Sequence, residues 1–289
     1  MKRALRELPA TQAADDHDLG LSHDLGTLIA RRRVLALLGA AVLAGLLSAC
    51  GDEAFLGRAE AEVTAADAKG NACIADPRET AGPFPADGSN SAHGTLANVL
   101  AGSGFVRTDM RSSLDPAKPV AAGAPLELQL TLVDVGHRCR PLAGHAVYLW
   151  HCDSVGRYSI YDLPDATYLR AVGVTDAAGN VTFNTIFPGC YPGRYPHMHF
   201  EVYPSLDKAT GYANRILTSQ LAMPEAACEA VYQGSPDYGD SLSHFARSPL
   251  ARDGIFADNT AKQLAAQTPA LTGTVAGGYR GGVVIGIKG

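Results

Sequence analysis

Tyr191, Arg194, His197 and His199 lie close together in the run Pro188-Gly189-Cys190-Tyr191-Pro192-Gly193-Arg194-Tyr195-Pro196-His197-Met198-His199-Phe200. The run offers a phenol, a guanidinium and two imidazoles. On an extended chain, side chains alternate between faces, so His197 and His199 point the same way. Two imidazoles on one face make half of a metal site. A nearby tyrosine adds a hard oxygen donor, which suits ferric iron better than zinc or Cu(I).

A second run supplies another phenol: Ala146-Val147-Tyr148-Leu149-Trp150-His151-Cys152-Asp153-Ser154-Val155-Gly156-Arg157-Tyr158-Ser159. Its apolar beginning reads as a strand, and Asp153 to Gly156 as the turn that ends it. With Tyr158 in place after that turn, the chain resembles the intradiol ring-cleavage dioxygenases, the non-haem Fe(III) enzymes that open catechols between their two hydroxyls. That family's Trp-His-x-Asp-x-x-Gly-x-Tyr-Ser motif matches Trp150 to Ser159 and makes Tyr158 the first tyrosinate ligand. Its Pro-Gly-x-Tyr motif matches Pro188 to Tyr191 and makes Tyr191 the second. Its Pro-x-His-x-His-type end supplies His197 and His199, although here Pro196 directly precedes His197. Glu79-Thr80-Ala81-Gly82-Pro83-Phe84 is similar to the family's pocket-lining Thr-x-Gly-Pro-aromatic segment, and Arg107-Thr108-Asp109-Met110-Arg111 also looks familial. The resemblance is to the catalytic core of catechol 1,2- and protocatechuate 3,4-dioxygenases, in an exported form, and covers residues 73–289.

The elements that must hold these groups read mainly as strands. Leu126, Leu128, Leu130 and Leu132 alternate with Glu127, Gln129 and Thr131, as in a half-buried strand. Val172 to Thr175, the turn from Asp176 to Asn180, and Val181 to Ile186 predict a hairpin. His197 to Tyr203 is a strand with His197, His199 and Glu201 on one face and Met198, Phe200 and Val202 on the other. Ile216 to Met223 and Gly282 to Ile287 are further strands. Short helices are expected over Pro224 to Tyr232 and Thr260 to Gln267. Gln233 to Ala257 reads as an irregular stretch wrapping the core. Short strands with Gly/Pro turns predict a mainly β fold, a β-sandwich with short helices and long loops.

The chain has 289 residues and a formal charge of −5, which points away from nucleic acid. Its first 49 residues read as a signal peptide: paired arginines at Arg31 to Arg33 lead into the apolar run Val34 to Ala49, as in twin-arginine export. Leu47-Ser48-Ala49-Cys50 resembles a bacterial lipobox, with Cys50 the lipidated N-terminus; a cleaved signal with an incidental Cys, or an uncleaved anchor, are the other readings. Residues 50–72 read as a flexible tether. The protein would then sit in the cell envelope, lipid-anchored on the periplasmic or extracellular side. Cys73, Cys139, Cys152, Cys190 and Cys228 remain, an odd number in a compartment that permits disulfides. A Cys190–Cys228 bridge and a pair of free, packed thiols are both open.

What the resemblance implies is one non-haem Fe(III) per chain, held by Tyr158, Tyr191, His197 and His199. A catechol-type aromatic would bind as a dianion, displacing Tyr191, and be cleaved with O₂ to a muconate-type dicarboxylate. Arg194 matches the family arginine facing the activated ring, where a fixed cation stabilises developing negative charge. Gly82, Pro83, Phe84 and Gln220 stand where the family lines the pocket or hydrogen-bonds near the iron. Trp150 and His151 read as core. His93, His137, His145 and His244 read as solvated. Glu201 falls outside the ligand set. The family's helical dimerisation segment finds no room before the core, and the oligomeric state stays open. The step from Tyr191 to His197 is shorter than in many cytosolic members, which predicts a more open mouth. Two other functions fit the residues: a module that captures catecholates or ferric complexes without turnover, and a zinc hydrolase using His197, His199 and a carboxylate.

Overall fold

The computed structural model describes residues 62–288, apart from the side chain of Ser103; the export signal, Cys50 and the first part of the expected tether lie outside the described residues. The folded domain starts earlier than predicted. Thr64–Ala66 (β1) and Ala72–Ile74 (β2) pair antiparallel. Cys73 packs with Val133, Val135 and Cys139 and forms a disulfide with Cys139. Of the two readings left open for Cys190 and Cys228, the structure has the free, packed thiols: Cys152, Cys190 and Cys228 are buried and unbridged. Two three-residue strands carry too few positions to show a period, so this hairpin had no sequence signal.

Asp87–Ala92 (β3) and Thr95–Asn98 (β4) form a second hairpin. The strands that follow are Pro125–Asp134 (β5), Arg140–Pro141 (β6), Ala146–Trp150 (β7), Arg170–Val174 (β8), Asn180–Ile186 (β9), His197–Tyr203 (β10) and Leu217–Ala222 (β11). Helices Glu225–Gly234 (α1), Ser241–Arg247 (α2) and Ala261–Ala266 (α3) come next, and Ala270–Thr274 (β12) and Gly278–Ile287 (β13) close the chain. Thr260 starts α3 with a capping box to Gln263, two reciprocal bonds that explain this short helix. Helix α2 was not predicted; it falls within the stretch read as irregular.

One sheet runs β11-β10-β7-β8, all antiparallel. The other runs β12-β13-β5-β6, with β9 also on β5 and β13 parallel to β5. The alternating leucines of β5 meet Val147, Leu149, Met198, Phe200, Val202 and Phe183 in a shared core between the sheets. The fold is therefore the predicted β-sandwich. The hairpin expected over residues 172–186 is corrected. The turn exists, with Gly179 N–H donating to Asp176 C=O, but β8 pairs with β7 and β9 with β5, in opposite sheets. A Cβ on Gly173 would lie 2.4 Å from Val181 Cγ2, so the two strands approach closely without pairing. A period-two pattern identifies a strand but not its partner.

Candidate metal centre

Strand β10 is buried along its whole length, because its sheet is covered on both faces. One face meets the sandwich core. On the other, His199 stands in register between Trp150 of β7 and Gln220 of β11, with Arg170 of β8 beyond Trp150. This outer face is covered by a second cluster that includes Ala81, Ala86, Val99, Leu100, Phe105, Tyr148, Trp150 and Tyr158.

Four donor atoms converge there. Tyr158 Oη lies 3.3 Å from His199 Nε2, and Tyr191 Oη lies 3.0 Å from His197 Nε2. The two imidazole Nε2 atoms are 3.1 Å apart. The sequence placed these four residues together, and the structure does bring them together. Each is aimed by its own local structure. Asp153 Oδ1 accepts from the backbone N–H of Val155 and Arg157 and so shapes the turn before Tyr158. In that turn Gly156 has φ +88°, and a Cβ there would sit 3.0 Å from Cβ of Tyr191, so glycine lets the two tyrosine-bearing segments meet. His197 donates through Nδ1 to Tyr195 C=O, the tautomer inferred from that bond, which leaves Nε2 a bare acceptor. His199 has no hydrogen-bond partner at Nδ1; the Trp150 ring stacks on it at 5.0 Å and 8°, with Tyr148 stacked on Trp150 at 4.8 Å.

Burial pushes the Tyr158 phenol well above its ordinary pKa, and the adjacent Tyr191 adds to this. Burial likewise raises Tyr191 to about 12, opposed by Arg194. Burial holds His197 and His199 well below the usual imidazole value, helped by Arg194 at His197 and by His197 at His199. The protein alone therefore presents two protonated phenols and two neutral imidazoles, with the two Nε2 atoms facing each other. A trivalent cation fits this donor set: it would draw off the phenol protons and hold four mutually close donors. Among the described residues no trio of His, Cys, Asp and Glu converges on a common point.

Gly82, with φ +71°, brings its Cα against the His199 ring; a Cβ would lie 3.2 Å from Cε1. Phe84 packs 5.0 Å from both Tyr158 and Tyr161. Arg170, only 1% exposed, fixes this covering loop by donating to Phe84 C=O, Pro85 C=O, the Tyr148 hydroxyl and Ser159. Arg194 Nη1 lies 3.4 Å from His197 Nε2, while its Nη2 donates to Gln220 Oε1 at 2.7 Å. Gln220 in turn donates to Thr80 C=O at 2.8 Å.

Other residues have structural duties. His151 is buried between Cys152 C=O and the Thr185 hydroxyl, away from the four donors. Glu201 is held by the Tyr203 and Thr218 hydroxyls, and burial raises its carboxyl to about 8. His244 is not merely solvated, as the sequence suggested: its Nδ1 bonds Cys190 C=O at 2.8 Å, and the Ser241 hydroxyl accepts from Cys190 N–H at 3.0 Å. The carboxylate of Asp253 meets Arg194 Nε at 2.9 Å. Sequence reasoning missed Ser241, Asp253 and the duty of His244. They stand some 50 to 60 positions from their partners, and no local spacing signals such contacts. Arg170 carried a readable sign, a lone cation opening the strand Arg-Ala-Val-Gly-Val.

A family model described as Dioxygenase matches residues 108–209, which contain all four donors and Arg194. The protocatechuate 3,4-dioxygenase beta chain of Burkholderia cepacia is 30% identical over 113 residues, which is 34% of this chain and 46% of that one. The chain thus spans about half the length of this curated relative. An intradiol ring-cleavage dioxygenase from Tetranychus urticae superposes with a TM-score of 0.51 at 25% identity, over 64% of this chain and 87% of that one. In sequence and in fold the domain resembles the intradiol ring-cleavage dioxygenases.

Proposed function

We propose that the chain is a non-haem Fe(III)-dependent intradiol dioxygenase that opens a catechol-type ring with O₂ to a muconate-type dicarboxylate. The observation that carries this reading is the convergence of Tyr158, His199, His197 and Tyr191, each successive pair 3.0–3.3 Å apart. Ferric iron, held by Tyr158, Tyr191, His197 and His199, would supply a Lewis acid that draws electron density from the catechol ring. The protein's own groups do the rest. Tyr158, His197 and His199 sit on the buried sheet face and keep their places. Tyr191 belongs to a turn whose next two residues, Pro192 and Gly193, are exposed, which makes it the donor best able to yield its place and take up a proton. Arg194 provides a fixed cation beside the reacting ring, stabilising negative charge as it develops. Phe84 and Gly82 exclude water from the covering side. Both atoms of O₂ end in the two carboxyl groups of the product.

A zinc hydrolase needs a carboxylate beside the two histidines, and Glu201 is instead engaged by Tyr203 and Thr218. A non-catalytic catecholate-binding role would show the same donors without oxygen consumption. The proposal extends to twin-arginine export and lipidation at Cys50, which rest on the sequence alone. The Cys73–Cys139 bridge supports an oxidising compartment. Mass analysis of the mature N-terminus tests the anchor; an unmodified Cys50 removes it.

The test of the chemistry is a visible spectrum of iron-loaded protein, before and after catechol is added without oxygen, followed by oxygen uptake. A broad tyrosinate-to-iron band that moves to longer wavelength with catechol, then oxygen consumption, is the expected result. An iron-containing protein without that band overturns the ligand assignment. A normal band shift without oxygen uptake leaves only the binding role.

A further inference from the structure

Arg194 is a buried cation on a planar fork of N–H donors, and three sides of that fork are spoken for. Nε donates to Asp253 Oδ2 at 2.9 Å, Nη2 donates to Gln220 Oε1 at 2.7 Å, and Nη1 faces the four donors at 3.4 Å from His197 Nε2. The pair is sheltered, with side-chain exposures of 12% for Arg194 and 0% for Asp253. Neither partner of Arg194 is free to turn. Asp253 Oδ2 also accepts from Tyr195 N–H at 2.7 Å, and its Oδ1 accepts from the backbone N–H of Ile255 and Phe256. Gln220 spends its amide N–H₂ on Thr80 C=O, so only Oε1 is left for the guanidinium.

We propose that Asp253 is the positioning residue for Arg194: it fixes the plane of the guanidinium and offsets its charge, so that only Nη1 is presented to the substrate. This rests on the dioxygenase reading of the site. The physical reason is rigidity. Two hydrogen bonds to different edges of a planar fork determine where the third edge points. Without Asp253 the guanidinium could rotate toward the donors or toward solvent. Its full positive charge would also stand uncompensated beside a bound metal ion. Asp253 arrives from the stretch Gln233 to Ala257, which therefore grips the 190–195 turn at both ends: Ser241 and His244 at Cys190, and Asp253 at Arg194 and Tyr195.

A merely structural role, capping the turn at 253–256 and tying down Tyr195, is the alternative. Asp253→Asn removes the ion pair and, because Oδ2 serves both groups, the bond from Tyr195 N–H as well. The two roles are therefore separated by how turnover and affinity change rather than by loss of activity alone. The asparagine keeps an oxygen for the turn amides and places an N–H₂ group against Arg194 Nε, removing the ion pair. In the iron-loaded full chain, kcat for oxygen uptake with catechol is expected to fall about 10- to 100-fold, the scale of a misplaced charge-stabilising donor. The tyrosinate-to-iron band should persist. Anaerobic affinity for catechol should stay within about threefold of the parent or tighten, because an uncompensated cation attracts a dianion. Equal losses of affinity and turnover, or turnover within about twofold of the parent, would overturn the proposal. A second readout needs neither activity nor the variant. The Nε–H of Arg194 in ¹⁵N-labelled parent protein should be protected from solvent exchange by its carboxylate partner, and rapid exchange would overturn the proposal. Should the parent consume no oxygen, the dioxygenase reading fails by itself, and the exchange measurement still decides whether Asp253 holds Arg194.

Discussion

Met198, Phe200 and Val202 lie on one face of β10, and His197, His199 and Glu201 lie on the other; all six are buried, yet the two faces are stabilised differently. The first face meets the leucines of β5 across the sandwich and needs only shape and apolar area. The second is covered by loops and the β3–β4 hairpin rather than by the other sheet of the sandwich. Each of its polar groups requires a partner: Tyr195 C=O for His197, Tyr203 and Thr218 for Glu201, and Asp253 and Gln220 for the neighbouring Arg194. The atoms left over are the informative ones. His199 Nδ1 has no partner, and the four facing donors of Tyr158, Tyr191, His197 and His199 crowd one another. Burial alone would not select such an arrangement, because unpaired buried polar atoms cost stability. The proposed cation would account for the crowded Oη and Nε2 atoms, while Nδ1 of His199 lies on the other side of its ring.

Substitutions should separate the two faces. His199→Ala is expected to have the largest effect: iron retention should fall by more than about 100-fold, beyond the loss of an outer hydrogen-bond partner, and oxygen uptake should vanish with it. Elemental analysis and the visible band measure this, and thermal unfolding should show the metal-free fold largely intact. Phe200→Ala is the converse. It should cost about 3–5 kcal/mol in denaturant unfolding, as for other large-to-small core changes, while the protein that remains folded keeps the band. If Phe200→Ala removed iron without destabilising the fold, the division between the faces would be wrong.

Smaller effects sharpen the contrast on the chemical side. Gly82→Ala forces a side chain into a left-handed backbone conformation, at about 1–2 kcal/mol, and pushes on the His199 ring. The thermal midpoint should drop by a few degrees and KM for catechol should rise several-fold. An unchanged KM would mean that Gly82 does not set the covering wall. Glu79 adjoins that wall, and burial raises its carboxyl to about 7, opposed by hydrogen bonds from Asn259 and Gln267. Its folded pKa lies above the unfolded one, so the folded state holds the extra proton between these values. Stability should therefore decline as pH rises from about 4.5 to 7 and then level off. Glu79→Gln should flatten that slope and stabilise the protein above neutrality, as read by unfolding at several pH values.

His197, His199 and Tyr191 were legible in the sequence through local geometry, and Tyr158 through the resemblance to the intradiol ring-cleavage dioxygenases. His-x-His on a strand fixes a shared face, and a Gly-containing turn fixes where Tyr158 emerges. The leucine alternation of β5 exposed the sandwich for the same reason. The pairing of β8 and β9 was not legible, since a strand pattern does not name its neighbour. Nor was the bridge: Cys73 and Cys139 are 66 positions apart and meet only when the N-terminal hairpin docks.

By itself, the sequence of this protein determined that His197 and His199 share a face beside Tyr191, since alternation operates over a few residues, and its motifs carried the resemblance that added Tyr158. Only the tertiary structure decided which way Arg194 faces, which segments cover His199 and which cysteines join. Those outcomes depend on close approach between segments tens of residues apart, and packing and hydrogen-bond satisfaction select them only once the chain has folded.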